Sequence, residues 1–310
     1  MSLAFVFPGQ GSQKVGMLSE YSDVTVVRDT YNEASQVLGY DLWALSQEGP
    51  QEELNMTEVT QPLLLTASVA LWRLWNERGG AQPSLMAGHS LGEFSALVCA
   101  GVIVFTDAVD LVRKRGQFMQ SAVPVGVGAM AAIIGLDDDL VDEACVSVAN
   151  GECVNGVNYN SPGQVVIAGH AAAVDRAITA CKEAGAKRGL PLPVSAPFHT
   201  DLMRPAGEEL AKVVDGLVFN APVVPVVHNV TIAPENDPAK IKALVVEQIF
   251  SPVPWTQCVQ YMTSQGITDT VECGAGKVLS GLNKRISATL NCYSTDTFAT
   301  LDGAIEALQA

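Results

Sequence analysis

Apolar positions along this chain fall into short continuous runs, helical stripes and one long alternation of the two. Leu3 to Phe7 is an unbroken apolar run stopped at once by Pro8-Gly9-Gln10-Gly11-Ser12-Gln13, which predicts a buried strand delivering its end into a glycine loop. Thr60 to Gly80 has helical spacing, with Leu63, Leu64, Leu71, Leu74 and Trp75 apolar. Thr60 is its expected N-cap, Pro62 falls in the first turn, Gly79 stands at the stop, and the helix reads as packing. Leu85-Met86-Ala87 is too short an apolar run for a helix, whereas Glu93 to Ala100 is helix-compatible and ends at Gly101. A further helix is expected behind an N-cap at Thr106, with Ala108, Leu111, Val112, Met119 and Ala122 on one stripe and Asp110, Arg113, Lys114 and Gln117 on the opposite face.

From Gly126 the pattern alternates. Strand Ala129 to Ile134, helix Asp137 to Ala149, strand Val154 to Tyr159, turn Asn160-Ser161-Pro162-Gly163, strand Gln164 to Ala168, helix Ala171 to Ala184 and strand Lys187 to Leu192 give the order β-α-β-β-α-β of a ferredoxin-like unit. Pro191, Pro193 and Pro197 then mark a crossing that ends at Phe198-His199-Thr200, ahead of a helix from about Asp201 to Val214. Later segments read as a strand at Val223 to Val230, helices at Ala239 to Phe250 and Trp255 to Thr263, and a strand at Thr268 to Cys273. The expected architecture is an α/β body formed by residues 1–124 and 196–310, carrying an inserted α+β domain over residues 125–195.

Composition narrows the class. The chain has 310 residues, 48% hydrophobic and 16% charged, enough for a globular core in one large domain or two unequal ones. No basic segment precedes the short apolar run at the start, so no signal peptide is expected. The uncharged stretch Gln117 to Leu136 contains Pro124 and three glycines and fits a loop entering a strand, not a membrane span. Seven scattered cysteines without Cys-x-x-Cys spacing suggest reduced thiols in a cytosol, with no zinc site or disulfide framework. A net charge of −15 argues against nucleic-acid binding and leaves any acidic partner needing a local basic patch. Neither Gly9-x-Gly11 with Gly16 nor Gly274-Ala275-Gly276-Lys277 has the spacing of a nucleotide-binding loop.

Candidate chemistry gathers at Gly88-His89-Ser90-Leu91-Gly92. A Gly-x-Ser-x-Gly set between a strand and a helix is the nucleophile-elbow pattern, although the pentapeptide alone also fits an ordinary glycine-rich turn. A serine nucleophile needs a base, and the chain has four histidines. His89 cannot easily turn back onto its neighbour, His170 opens a helix of the insertion, and His228 sits in a buried-looking strand. His199, in the crossing where the two domains must meet, is left as either the base or a structural loop histidine. No Asp or Glu stands out as an orienting acid, so a complete hydrolase triad is not supported. Arg115 lands in the middle of the apolar stripe of its helix, so its guanidinium needs either a buried acidic partner or a cavity that receives an anion.

Taken in order, Phe7-Pro-Gly-Gln-Gly-Ser-Gln13, Gly88-His-Ser-Leu-Gly-Glu93, Arg115 before Gly116-Gln117-Phe118-Met119-Gln120, Asn158-Tyr-Asn-Ser-Pro-Gly163 and Ala196-Pro-Phe-His-Thr200 resemble the malonyl-CoA:acyl carrier protein transacylases over nearly the whole chain. The resemblance implies an α/β-hydrolase-like large domain with the ferredoxin-like insertion. It also implies a two-step transfer of malonyl from coenzyme A to the phosphopantetheine thiol of acyl carrier protein, with no metal or bound cofactor. By the same resemblance Ser90 is the nucleophile and His199 its base, Gln10 and the Leu91 N–H form the oxyanion hole, and Arg115 pairs with the substrate carboxylate. The backbone carbonyl of Gln248 orients the histidine, and Phe198 is the malonyl-selecting form of its motif. Asn160 either lines the pocket or caps its turn, and Met119 is either pocket or core. A cytoplasmic monomer is expected. Lys187, Arg188, Lys284 and Arg285 are candidate contacts for an acidic carrier, and acylation should decline in acid around or below pH ~6.5 as the histidine protonates.

Overall fold

The computed structural model describes residues 2–194 and 196–309. Met1, Ser195 and Ala310, which end segments of the expected division, lie outside the described residues. In chain order the elements are β1 (Leu3–Phe7), α1 (Thr25–Leu38), α2 (Leu42–Glu48), α3 (Gln51–Leu54), α4 (Thr57–Glu77), β2 (Leu85–Gly88), α5 (Leu91–Cys99) and α6 (Phe105–Ser121). They continue with β3 (Gly128–Ile134), α7 (Asp138–Val148), β4 (Val154–Ser161), β5 (Gln164–His170), α8 (Ala171–Glu183) and β6 (Arg188–Pro191). The remainder is α9 (Arg204–Asp215), β7 (Val226–Val227), α10 (Pro238–Glu247), α11 (Trp255–Ser264), β8 (Asp269–Glu272), α12 (Val278–Ile286), β9 (Asn291–Ser294) and α13 (Phe298–Gln309).

Five strands in the order β7-β2-β1-β8-β9 form a wholly parallel sheet. Helices cover both faces of such a sheet, so its strands carry apolar side chains on each side, and all of Leu3–Phe7 is buried. Phe5 meets Trp72 and Trp75 edge-on, each at 5.1 Å between ring centroids, which pins α4 across β1. The carboxyl ends of β1, β2 and β7 then deliver Gln10, Ser90 and Asn229 to one edge of the sheet, where ligands of open α/β folds bind.

The second sheet has four antiparallel strands in the order β4-β5-β3-β6, the ferredoxin-like arrangement. Period-2 alternation assigns its residues to two cores. Ala131, Ile133, Val165 and Ile167 pack with α7 and α8, whereas Met130, Val166 and Ala168 face the other way and join the core of the large body. The fold is therefore an α/β-hydrolase-like body with a ferredoxin-like insertion.

Several expected boundaries move. α4 begins at Thr57 with Met56 in the N-cap position, so Thr60 does not cap it; the Thr60 hydroxyl donates instead to the Leu54 and Met56 carbonyls. Pro62 therefore sits inside the helix as its sixth residue, where it forgoes the bond to the Glu58 carbonyl. Thr106 lies within the first turn of α6, behind Val104 as N-cap. The strand expected over Val223 to Val230 shrinks to Val226–Val227, because Pro222 and Pro225 cannot donate to a ladder and His228 and Asn229 turn away to bond Glu93. β4 runs on to Ser161, which shortens the expected turn to Pro162 and Gly163.

Candidate active site

Ser90 stands between β2 and α5 with φ 51° and ψ −108°, a backbone conformation strained for any side chain but glycine. Neighbouring glycines make that turn possible. A Cβ on Gly88 would lie 1.9 Å from the Gly92 carbonyl carbon, and one on Gly9 would lie 2.4 Å from the His89 oxygen. The second approach seats the Gln10 loop against the elbow. Leu91 opens α5 and lines the cavity; the next two N–H groups, of Gly92 and Glu93, donate to the His89 and Ser90 carbonyls at 2.9 and 3.0 Å, which leaves the Leu91 N–H as the first-turn donor beside the nucleophile.

His199 is also held at positive φ, 64°. The Thr200 hydroxyl donates to the Pro197 carbonyl at 2.7 Å and closes the turn, while Pro197 packs against Gly128 at the start of β3. This brings His199 Nε2 to 2.7 Å from Ser90 Oγ and Nδ1 to 2.9 Å from the Gln248 carbonyl oxygen. A carbonyl only accepts, so Nδ1 carries the ring proton and Nε2 is left bare to receive the serine proton. No carboxylate contacts the imidazole; the orienting group is a backbone oxygen. Burial, and secondarily the Arg115 charge, push the His199 pKa down to about 3, so the base stays neutral.

Arg115 is 1% exposed and reaches the same point from α6. Its Nη1 donates to Gln61 Oε1 at 2.9 Å, and its Nη2 donates to Gln248 Oε1 at 2.9 Å and Ser90 Oγ at 3.3 Å. Nε has no partner. Burial lowers the guanidinium to about 10, with Glu93 pulling it back up, so it remains a cation at neutral pH. Its hydrogen bonds go to neutral amides and a hydroxyl, its guanidinium lies over the Phe94 ring at 5.2 Å, and among the described residues no carboxylate forms an ion pair with it. Of the two possibilities open from sequence, a buried acidic partner is not found among the described residues, and the guanidinium lines a cavity.

That cavity encloses about 120 Å³ and is lined by both units: Gln10, Ser90, Leu91, Arg115 and His199 from the body, with Met130, Asn158 and Leu192 from the insertion. Met119 and Phe198 line it as well. Asn160 does not; its Oδ1 lies 2.7 Å from His89 Nε2, behind the wall, and Asn158 takes the lining position two residues earlier. Gln61 shows that α4 is more than packing. A lone glutamine within the apolar run of α4 carries the same signal that exposed Arg115 to inspection, and reading α4 as pure packing passes over it. The basic candidates separate: Arg285 Nη1 donates to Gln164 Oε1 at 3.0 Å, near the strand end carrying Lys187 and Arg188, while Lys284 Nζ turns to the Leu290 carbonyl. Among the described residues, no cluster of His, Cys, Asp or Glu could hold a metal ion, and no helix is long and apolar enough to cross a membrane.

The chain has close relatives. A family model described as acyl transferase domain matches residues 4–279. The malonyl CoA-acyl carrier protein transacylase of Salmonella typhimurium is 58% identical over 303 residues, 97% of this chain and 98% of the relative, and that of Bacillus subtilis is 44% identical over 99% and 97%. Among solved structures, an acyl carrier protein S-malonyltransferase from Vibrio cholerae superposes with TM-score 0.96 at 58% identity, covering 98% of this chain and 99% of that one. A malonyl-transacylase solved in complex with its type II PKS acyl-carrier protein superposes with TM-score 0.98 at 56% identity, covering 99% and 100%. With a serine elbow, a carbonyl-oriented histidine and a buried arginine on one small cavity, and with these relatives matching end to end, the chain belongs to the malonyl-CoA:acyl carrier protein transacylase family.

Proposed function

We infer that this chain transfers malonyl from malonyl-CoA to the phosphopantetheine thiol of acyl carrier protein through a malonyl-Ser90 ester, supplying malonyl carrier for fatty acid elongation. The observation that carries the reading is a nucleophile sharing a small cavity with a buried arginine that has no carboxylate partner. His199 Nε2 takes the Ser90 proton as Oγ attacks the thioester carbon. The oxyanion then sits against the Leu91 N–H and the Gln10 amide, and its collapse expels coenzyme A as a thiol that takes the proton back from the imidazolium. The carrier thiol repeats these steps in reverse order and frees Ser90. Arg115 holds the malonyl carboxylate throughout, and Met119, Phe198 and Asn158 bound the acyl group. Asn160 acts on the site only through His89.

Every proton in this cycle is carried by His199 and every charge met by Arg115 or a dipole, so the mechanism uses no metal or bound cofactor. Residues 1–124 with 196–310 form the catalytic body in this reading and 125–195 the inserted domain. The protein works as a cytoplasmic monomer with malonyl-CoA and the carrier as its partners. Intact mass tests the reading: with malonyl-CoA alone the protein gains one malonyl group that persists, and added holo-carrier removes it. Discharge by water at the same rate as by carrier would make the protein a thioesterase, and no adduct at all would leave it a carrier-binding scaffold.

The acid limb, expected around or below pH ~6.5, should lie well below that value, because burial disfavours the His199 imidazolium. A general base is active when deprotonated, so lowering its pKa to about 3 keeps the active form dominant through mildly acid pH. kcat/KM for Ser90 acylation should therefore be flat from pH 8 to 5. A limb centred near 6.5 would mean the imidazole is hydrated and not enclosed as described.

A further inference from the structure

Glu93 is fully buried in the first turn of α5, three residues after the nucleophile, and no arginine or lysine touches it. One of its oxygens, Oε2, accepts from the Asn229 N–H at 2.9 Å and from Gln248 Nε2 at 2.8 Å; Oε1 lies 2.7 Å from His228 Nδ1. His228, Asn229 and Gln248 are themselves fully buried. Placing a carboxylate in such an interior is costly unless every lone pair is used, and an apolar residue would serve α5 better if packing were the only demand.

Both groups on Oε2 continue into the site. Asn229 Oδ1 accepts the Ser90 N–H at 3.0 Å, and its Nδ2 donates to the Gly88 carbonyl at 2.8 Å, so this one amide brackets the strained elbow from both sides. Gln248 donates through Nε2 to Glu93 and also to the Ser90 carbonyl at 3.0 Å, and accepts Arg115 Nη2 through Oε1. An amide has two ends of nearly equal shape, and only the groups around it decide which end faces which neighbour. A carboxylate accepts and never donates, so Glu93, as the one charged acceptor on Nε2, reinforces the orientation that the Ser90 carbonyl on Nε2 and the donor-only guanidinium on Oε1 also favour. With the amide reversed, an N–H would point at Arg115 and push the fork away from the substrate carboxylate.

We propose that Glu93 is the positioning residue of this site: by reinforcing the amide orientation of Gln248 and the placement of Asn229, it holds the Arg115 fork and the Ser90 elbow in register. The role rests on the malonyl-transfer reading, because it assigns to Glu93 the alignment of the group that reads the acyl carboxylate. It separates into two arms. The Gln248 arm governs discrimination between malonyl and acetyl donors, and the Asn229 arm governs attack on either.

Single-turnover acylation of Ser90 by malonyl-CoA and by acetyl-CoA, with thermal unfolding alongside, tests it. Glu93→Leu keeps the bulk and removes the acceptors; the malonyl rate should fall about 10²-fold and the malonyl-to-acetyl ratio at least about tenfold. Glu93→Gln can offer its amide oxygen to the same two donors and should keep the ratio within about threefold of wild type. Gln248→Leu, which retains the backbone carbonyl on His199, should lower the ratio as Glu93→Leu does, and the double variant should lower it no further. Asn229→Ala should slow both donors alike. If Glu93→Leu does not fold, Glu93→Gln and Gln248→Leu still decide: loss of the ratio in the first, or its retention in the second, overturns the proposal. So does a folded Glu93→Leu that slows both donors equally. A wild-type protein that takes no malonyl group defeats the transfer reading and this inference with it, whereas normal wild-type acylation with an unmoved ratio in Glu93→Leu defeats the inference alone.

Discussion

Ser90→Ala is expected to take up no malonyl mass from malonyl-CoA under conditions where the wild type is fully acylated. The elbow presents one oxygen at 2.7 Å from a bare imidazole nitrogen, and alanine leaves nothing there to form an ester. Among the described residues lining the cavity there is no other serine and no threonine, cysteine or lysine. Burial pushes the thiols of Cys99, Cys258 and Cys273 up, away from the reactive thiolate form. An adduct on the alanine variant, or peptide mapping that puts the wild-type adduct on a cysteine, would remove Ser90 from its role. His199→Ala keeps the nucleophile and loses the proton acceptor, so both half-reactions should slow by about 10² to 10⁴. The loss is not total because the oxyanion donors and the Arg115 contact remain. Turnover near wild type would return His199 to an ordinary loop histidine.

What the sequence discloses about this site depends on how local each relation is. The elbow is local: Gly88, Ser90 and Gly92 lie within five residues and their spacing is readable from the chain, although what excludes a side chain at Gly92 is the distant Phe7 carbonyl. Arg115 is nearly so, since helical periodicity alone places a charge on an apolar stripe, and burial at 1% exposure bears that out. Residues that act through long-range hydrogen bonds are harder. Asn229 and the side chain of Gln248 look like unremarkable amides until β7 and the end of α10 converge on the elbow. Glu93 could be read as one more helical glutamate because α5 is short and apolar almost all round. The same distinction holds for the fold. Strands and helices with strong periodicity around the site were legible, while α1, α2, α3, α12, β9 and α13 were not placed. In α12 and β9 polar residues interrupt the apolar pattern, and β9 is fixed chiefly by pairing with β8. The strand foreseen at Val223 fails for a tertiary reason: its later residues are recruited into the Glu93 network.

Arg115→Ala should lower malonyl transfer by about 10² to 10³ or more and spare or improve acetyl transfer. The first half follows from the loss of a buried charge pair between guanidinium and substrate carboxylate, about 3–5 kcal/mol. The second follows from the protein's own contacts, which among the described residues give the guanidinium no carboxylate partner and leave Nε unsatisfied. An acetyl group keeps it in that state, whereas alanine relieves it, so selectivity should contract from both ends. Fold stability separates this from a structural role. An arginine tied to a protein carboxylate would leave that carboxylate stranded on substitution, lowering Tm and depressing every acyl donor together. Here the groups left behind are Gln61, Gln248 and Ser90, which are neutral and can re-pair with water entering the widened cavity. Tm should accordingly change by only a few degrees while the kcat/KM ratio for malonyl- over acetyl-CoA collapses. Equal losses on both donors, accompanied by a destabilised fold, would show that Arg115 serves the structure and that some other group reads the carboxylate.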